Sequence, residues 1–513
     1  MKLTSLLGVF TALCVGGNAL RAQEPDSNKR DQVKALQQQL LLMQQEFANQ
    51  QRLFQLRLEA LQKQIHALEI PPAKPVDEQK HLRDMMQTKL SEPLAGDPPA
   101  KHDWRPTDLI RLAGDDERFL NLSLGALMAM GTTTASDIAA LSPGGHDPNQ
   151  RGFSVQNLEL TMDGRVGPHL SGHAFFVFPI GRDGATRVEV EEAFMETDWL
   201  PLDMTLRAGH IFSEFGRHNP THPHTWEFVD MPLINHRMFG GDGLRQTGVR
   251  LFAPIHLPFH SEFVLTLMNG QGETAHSFRS DHGGAASFGR AHRGLRNAGA
   301  LAFRDMIVNP RYQIETHLTE SQTLLAGVSA AFGANASGAD TGSQIYGADL
   351  TWTWSHEPHE KGVPYVTWQS EVMYRRYQAG AYTDDLNADG VPDLNLAGDG
   401  VTVLTVPRET IEDYGFYTQL IYGFHPNWRT GMRWDYVAPN RAQYEGIVGI
   451  DPARSRRWRL SPNLTWQSTD FARVRLQYNY DARQLRGIDH SVWLQLDFEL
   501  GAHEGHAEHR HDH

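Results

Sequence analysis

The 513-residue sequence predicts an all-β transmembrane barrel of about sixteen antiparallel strands, preceded by an α-helical coiled coil. Three observations carry this. From Phe119 onward, segments of about 10–13 residues alternate apolar and polar side chains between Gly, Pro or Asn boundaries. The connections between these segments are alternately short and long. Between Ser27 and Ile70, by contrast, apolar residues recur every seventh position.

The first 22 residues read as a secretory signal: Lys2 gives the positive start, Leu6–Val15 the short apolar core, and Leu20-Arg21-Ala22 the cleavage site. The single cysteine, Cys14, lies within it, preceded by Leu13 where lipid attachment needs a small residue, so no disulfide framework is expected in the mature chain. No later run of about 18 apolar residues reads as a spanning helix. A net charge of −14 gives no basic face for nucleic acid. These features suit the envelope of a Gram-negative bacterium.

Residues 27–70 place Val33, Leu40, Phe47, Phe54, Leu61 and Leu68 at successive a positions, with Leu36 and Met43 at d; afterwards Leu58 and Ile65 move the stripe one place over. A coiled coil implies self-association, and Phe at two a positions fits a wide, three-stranded core. A single amphipathic helix packed on a core is the alternative. Pro71-Pro72 ends the helix, and residues 71–117 (PPAKP, GDPPAKHDWRP) read as a mobile linker in the periplasm.

Residues 118–500 carry the strands, from LNLSLGALMAM to HSVWLQLDFEL. Tight turns fall at Gly167-Pro168, Leu200-Pro201, Glu320-Ser321, Pro426-Asn427 and Thr469-Asp470; long connections fall at about 132–151, 214–245, 270–298, 378–410 and 439–454. That alternation is what an up-and-down barrel requires, with both termini on the short-turn side. Aromatics near strand ends (Trp352, Trp354, Trp368, Tyr414, Tyr417, Tyr422, Trp428, Trp434 and Trp493) suit interfacial girdles, or else ordinary core packing. In the last strand, Val492, Leu494, Leu496 and Phe498 should face outward, and Trp493, Gln495, Asp497 and Glu499 inward.

In its order of signal, coiled coil, linker and strands, the chain resembles the phosphate-selective porin family (O/P type). FSVQNLELTMDGRVGPHLSGHAFFVF (Phe153–Phe178) is similar to that family's early hairpin, and LRAGHIFSEFG (Leu206–Gly216) to its strand entering the pore loop. The resemblance implies a trimeric passive channel in the outer membrane, contacting its lipid and passing small hydrophilic solutes. Phosphate selectivity does not carry over, because inward-facing residues here are often acidic (Glu189, Glu191, Glu196) rather than Arg and Lys.

The third long loop holds GRHNPTHPHTWEFVD, Gly216–Asp230. If it folds inward, Arg217, His218, His222, His224, Glu227, Asp230, His236, Arg237, Asp242 and Arg245 are candidates for a constriction whose opposed charges select ions. His222-x-His224 with His218 is also a candidate ligand set for Zn2+ or copper. A packed loop with hydrogen-bonded histidines is the plainer reading. Neither an HExxH pair nor a GxSxG elbow occurs, so no enzyme is expected.

In DLNADGVPD, Asp385, Asn387, Asp389, Val391 and Asp393 fit the first ligand positions of a Ca2+ loop around Gly390. Position 12 is Leu396, so Asp399 or Asp384 would have to substitute. The tail, residues 501–513, carries His503, His506, His509, His511 and His513, which suit loose binding of zinc, copper or nickel in the periplasm or a plain polar end. No cofactor is required. A diffusion channel leads the functional readings; a zinc-linked uptake receptor and a structural envelope tether are the alternatives.

Overall fold

The computed structural model describes residues 105–501, apart from 107, 116, 142–143, 183, 281–302, 357–362, 386–389, 394 and 398. The signal segment, the coiled coil, residues 71–104 of the linker, Asn387 and Asp389 of the calcium motif, and the tail histidines lie outside the described residues.

The chain forms β1 (Ile110–Gly114), β2 (Arg118–Thr133), β3 (Gly152–Val166), β4 (Leu170–Val177), β5 (Glu189–Thr197), β6 (Thr205–Phe212), a helix α1 (Leu233–Phe239), β7 (Arg245–Pro254) and β8 (His260–Met268). There follow β9 (Ile307–Thr319), β10 (Gln322–Ala334), β11 (Gly342–Ser355), β12 (Tyr365–Ala379), the short β13 (Tyr382–Thr383) and β14 (Thr405–Val406), and β15 (Glu409–His425). The chain closes with β16 (Trp428–Pro439), a turn of helix α2 (Glu445–Val448), β17 (Arg457–Thr469), β18 (Ala472–Arg483) and β19 (Gly487–Leu500). Sixteen of these strands pair antiparallel with their sequence neighbours, and β19 returns to β2 in the register Val492↔Thr132 to Leu500↔Leu124, closing the barrel. Each alternating segment of the sequence becomes one of these strands.

β1 corrects the linker boundary. It lies inside 71–117 yet pairs with β2 from Ile110↔Leu122 to Gly114↔Phe119. It takes over the β2 edge where β19 stops, and the Gly501 N–H donates to the Pro106 carbonyl at 2.6 Å to join them. Without it, four residues of β2 would present open backbone groups. IRLAG is too short for a periodicity argument to detect.

The barrel is inverted relative to a water-soluble one. Val372 on β12 is 50% exposed, while Glu371 and Met373 on either side are 1% exposed. On β19, Val492, Leu496 and Phe498 face out and Trp493, Gln495 and Asp497 face in, as the alternation predicts. Apolar residues thus cover the outer wall and charged ones fill the interior. In water such a surface would be costly; against hydrocarbon it is the stable arrangement. Trp368, Tyr414, Tyr422, Trp428 and Trp434 are exposed outward, but Tyr417 is fully buried and points inward, where its hydroxyl donates to Glu371.

Interior charges are paired along the wall. Asp349 binds the Arg311 guanidinium through both oxygens, at 2.6 and 3.0 Å. Asp413 accepts from Arg375 at 2.7 Å and from Arg454 at 3.1 Å. Arg457 and Arg459 share Asp481. In these pairs each charge meets an opposite one from a nearby strand or loop, which offsets the cost of taking both out of water.

Asp385, which the sequence offers as a calcium ligand, accepts the Gly390 N–H at 3.0 Å. The neighbouring Asp384 is buried and accepts from Leu396 N at 2.7 Å. Asp399 caps its own turn through Val401, Thr402 and the Thr402 hydroxyl. Leu396, at position 12, packs with Tyr377, Tyr382, Val406, Ile411 and Tyr444 in a small apolar core. The visible anchoring of this loop is therefore apolar, with both substitute carboxylates engaged in local hydrogen bonds.

Candidate functional site: the inner loop and its two walls

Residues 213–244 connect β6 to β7 and fold into the barrel. Gly216 turns the chain inward at φ 64°, and a Cβ there would lie 1.7 Å from the Glu371 carboxylate on β12. Asn219 ties the two ends of the loop together: its Nδ2 donates to the carbonyls of Ser213 and Leu244, and its Oδ1 accepts from Leu244 N. Pro220, Pro223 and Pro232 limit the intervening backbone, and the seven residues of α1 follow.

One face of the loop is apolar. Ile234, Met238 and Phe239 of α1, with Phe215, form a buried cluster with Met373, Tyr417 and Val437 on the wall. Two wall glycines make sockets for it. A Cβ on Gly347 of β11 would lie 2.6 Å from the Phe215 ring, and one on Gly415 of β15 would lie 2.8 Å from Ile234 Cδ1. The start of the next long loop adds Ala275 and Phe278 to the same cluster.

Between the apolar turn and β16–β18 the contacts are polar. Asp230 accepts from Arg433 at 2.6 Å, Arg459 at 2.9 Å, Gln477 at 3.0 Å and Asn479 at 2.7 Å. The carbonyls of Trp226 and Glu227 accept from Arg475 and Asn463, and that of His224 accepts from Arg473. Glu227 accepts from Arg429 at 2.9 Å. Arg237 donates to the carbonyls of Arg454 and Ser455. Burial opposes ionisation of Asp230 and Glu227, but Arg459 and Arg433 around the first, and Arg429 and Arg475 around the second, hold both below the usual carboxylate range.

The opposite wall is acidic. Adjacent strand residues normally face opposite sides, yet Glu191 and Glu192 are both buried inward. The β4–β5 register runs Phe176↔Val190 then Phe175↔Glu192, so Glu191 is the extra residue of a bulge, which turns both carboxylates to one side. His222 enters between them. Its Nε2 lies 3.1 Å from Glu192 Oε2, and its Nδ1 lies 3.0 Å from Glu191 Oε2 and 3.7 Å from Glu159 Oε2 on β3. The rings of Phe175 and Phe212 enclose it at 4.5 and 5.5 Å. His224 Nδ1 is 3.7 Å from Glu159, and Arg245 pairs with Glu189 and reaches Glu191 at 3.7 Å. From the first long loop, His146 Nε2 donates to Glu191 Oε1 at 3.0 Å and its Nδ1 to the Gln156 carbonyl at 3.2 Å.

Burial disfavours charge on all these imidazoles. Even so, Glu191 raises His146 to about 9, Glu191 with Glu159 and Glu192 raises His222 well above its usual value, and Glu159 raises His224. His218 and His236 differ. Burial first, then Arg433 for His218 and Arg457, Arg237 and Arg459 for His236, push each down to about 3.

The structure therefore divides the sequence candidates. His222, His224 and Arg245 gather on the acidic wall, with Asp242 beside Gly145 of the first long loop. Glu227, Asp230 and Arg237 gather on the basic wall. Arg217 is partly buried near the loop entrance. The expected trio of His218, His222 and His224 is not assembled: the His218 ring lies tilted against Trp226 at 4.7 Å and edge-on to Tyr417, on the other side of the turn from the carboxylates that hold His222. Among the described residues, the group with metal-ligand spacing is Glu159, Glu191 and His222. Sequence reading missed Glu159, Glu192 and His146 as site residues. The adjacent glutamates in VEVEEAF were the available signal, since a half-buried strand places two neighbouring charges on one face only at a bulge.

No family model matches the chain. An uncharacterized protein of Aquifex aeolicus is 27% identical over 392 residues, covering 71% of this chain and 72% of that protein. Among solved structures, the outer membrane channel DcaP of Acinetobacter baumannii is similar with a TM-score of 0.47 at 12% identity, over 76% of this chain and all of that one. An anion-selective porin from Comamonas acidovorans is similar with a TM-score of 0.45 at 8% identity, over 75% of this chain and all of the porin. At these values the likeness adds nothing to the barrel that the strand ladder itself establishes.

Proposed function

We propose that the chain is an outer-membrane channel for small hydrophilic solutes or ions, with the inner loop as its constriction. One observation carries this reading: an apolar-faced closed barrel encloses a charged interior, and the loop 213–244 crosses it between an acidic wall and a basic one. Opposed charges at a narrowing set a transverse field and sort ions by charge and size. The heptad repeat of residues 27–70 supports self-association of the channels, with three chains the expected number.

Planar-bilayer recording of the purified protein tests this. Discrete conductance steps, grouped in threes and enlarged when the Asp230 anchor is removed, are the expected result. A membrane that stays silent with both the natural and the loop-loosened protein would instead leave the barrel as an anchor for the rod.

A further inference from the structure

We propose that Glu159, Glu191 and His222 form a binding site for a divalent transition-metal ion, Zn2+ foremost, which ties the inner loop to β3 and β5. The three ligand atoms lie within 4.8 Å of one another and are buried. Metal–ligand bonds of about 2.0–2.2 Å in a tetrahedral site place ligand atoms roughly 3.3–3.5 Å apart. The separations from His222 Nδ1, 3.0 Å to Glu191 and 3.7 Å to Glu159, bracket that value. Glu191 Oε2, although buried, accepts no hydrogen bond. It faces His222 Nδ1 at 3.0 Å, so that a carboxylate oxygen and a ring nitrogen converge on one point, as two ligands of one ion do.

The surroundings are those of a ligand set. A ligating histidine donates its second N–H to a carboxylate, and His222 Nε2 meets Glu192 Oε2 while Glu192 Oε1 accepts the Phe212 N–H at 2.9 Å. The second oxygen of Glu191 is held by His146. Glu159 accepts from Thr161 at 2.8 Å and Asn157 at 2.9 Å. One nitrogen and two carboxylate oxygens without thiolate favour zinc and its neighbours over soft ions. The single imidazole and the flanking phenyl rings disfavour calcium, which wants six or more oxygens.

The test uses full-length protein in detergent with His503, His506, His509, His511 and His513 all replaced by Ala, so that the tail does not compete. Chelator-treated protein is titrated with Co2+ by visible absorption, then with Zn2+ by calorimetry. One equivalent of each per chain, loss of binding in His222→Ala, and binding about 10–100-fold weaker in Glu192→Gln are expected, with His236→Ala unchanged. If His222→Ala does not fold, Glu192→Gln decides. No stoichiometric binding by the parent, or binding indifferent to both variants, overturns the site. The readout needs no membrane, so its outcome is separate from that of the conductance experiment.

Discussion

The two sides of the inner loop are held by different physics. Toward β11–β16 the loop presents Phe215, Ile234, Met238 and Phe239, seated against wall glycines and an apolar cluster. Toward β3 and β5 it presents His222 to three carboxylates. The first contact is non-directional and insensitive to pH or ions; the second exists only while positive charge sits among the glutamates. Asp230 stands between them, clamped by four donors from β16–β18. A loop fixed on one side by packing and on the other by charge has one permanent and one adjustable edge.

The largest effect should come from Asp230→Ala. It leaves Arg433 and Arg459 short of a buried partner, and removing one member of such a network costs about 3–5 kcal/mol. Chaotrope titration should show early release of the loop, with the barrel transition little changed, and single-channel conductance should rise severalfold. If the loop transition does not separate from that of the barrel, the loop is part of one cooperative unit and the contrast between its edges fails.

Ile234→Ala empties the Gly415 socket and should cost about 2–5 kcal/mol, as for other buried aliphatic truncations. Because the truncated side chain carries no charge, the loss should be the same at pH 5 and pH 7. A pH-dependent loss would mean that the apolar edge is coupled to the acidic one.

Acidification gives a smaller effect with a definite sign. His218 and His236 titrate near 3 in the folded protein, against 6.5 in an unfolded loop. The unfolded state therefore binds protons first as pH falls. The contribution of these two rings is complete above about 6.5 and is lost as pH falls toward 3, since neither ring is easily charged: His236 faces Arg237, Arg457 and Arg459, and His218 faces Arg433. Urea unfolding from pH 7 to 4 should show this decline, with a shallower slope in His236→Gln. An identical slope would place the proton uptake elsewhere.

The smallest change is expected from Glu227→Gln. Its side chain is about a third exposed beside Arg429, and partly solvated pairs of this kind contribute about 1 kcal/mol or less. A reversal-potential shift without a stability change would locate Glu227 on the ion path.

Much of the fold was legible in the sequence because strand alternation is local. Val492-Trp493-Leu494-Gln495 already states which side faces lipid, and the parity of tight and long connections already states the topology. β1 was not legible, because five residues carry no measurable period and their pairing with β2 depends on where β19 ends. The site was half legible. His222, Asp230 and Arg245 were marked by their chemistry in a loop expected to turn inward, while His218 was wrongly grouped with His222 because closeness along the chain does not fix where a ring points after a proline turn.

The alternation along each strand already demands a chain that hides its charges and exposes its apolar residues, and so a closed barrel in a membrane, since strands satisfy every backbone group there only when the sheet closes. Which charges meet follows from the folded arrangement. The bulge that turns Glu191 and Glu192 to one side and the wall glycines that admit Phe215 and Ile234 join residues about 30 to 180 positions apart. No local pattern encodes such meetings, because they follow from the packing of one loop against the whole circumference of the barrel.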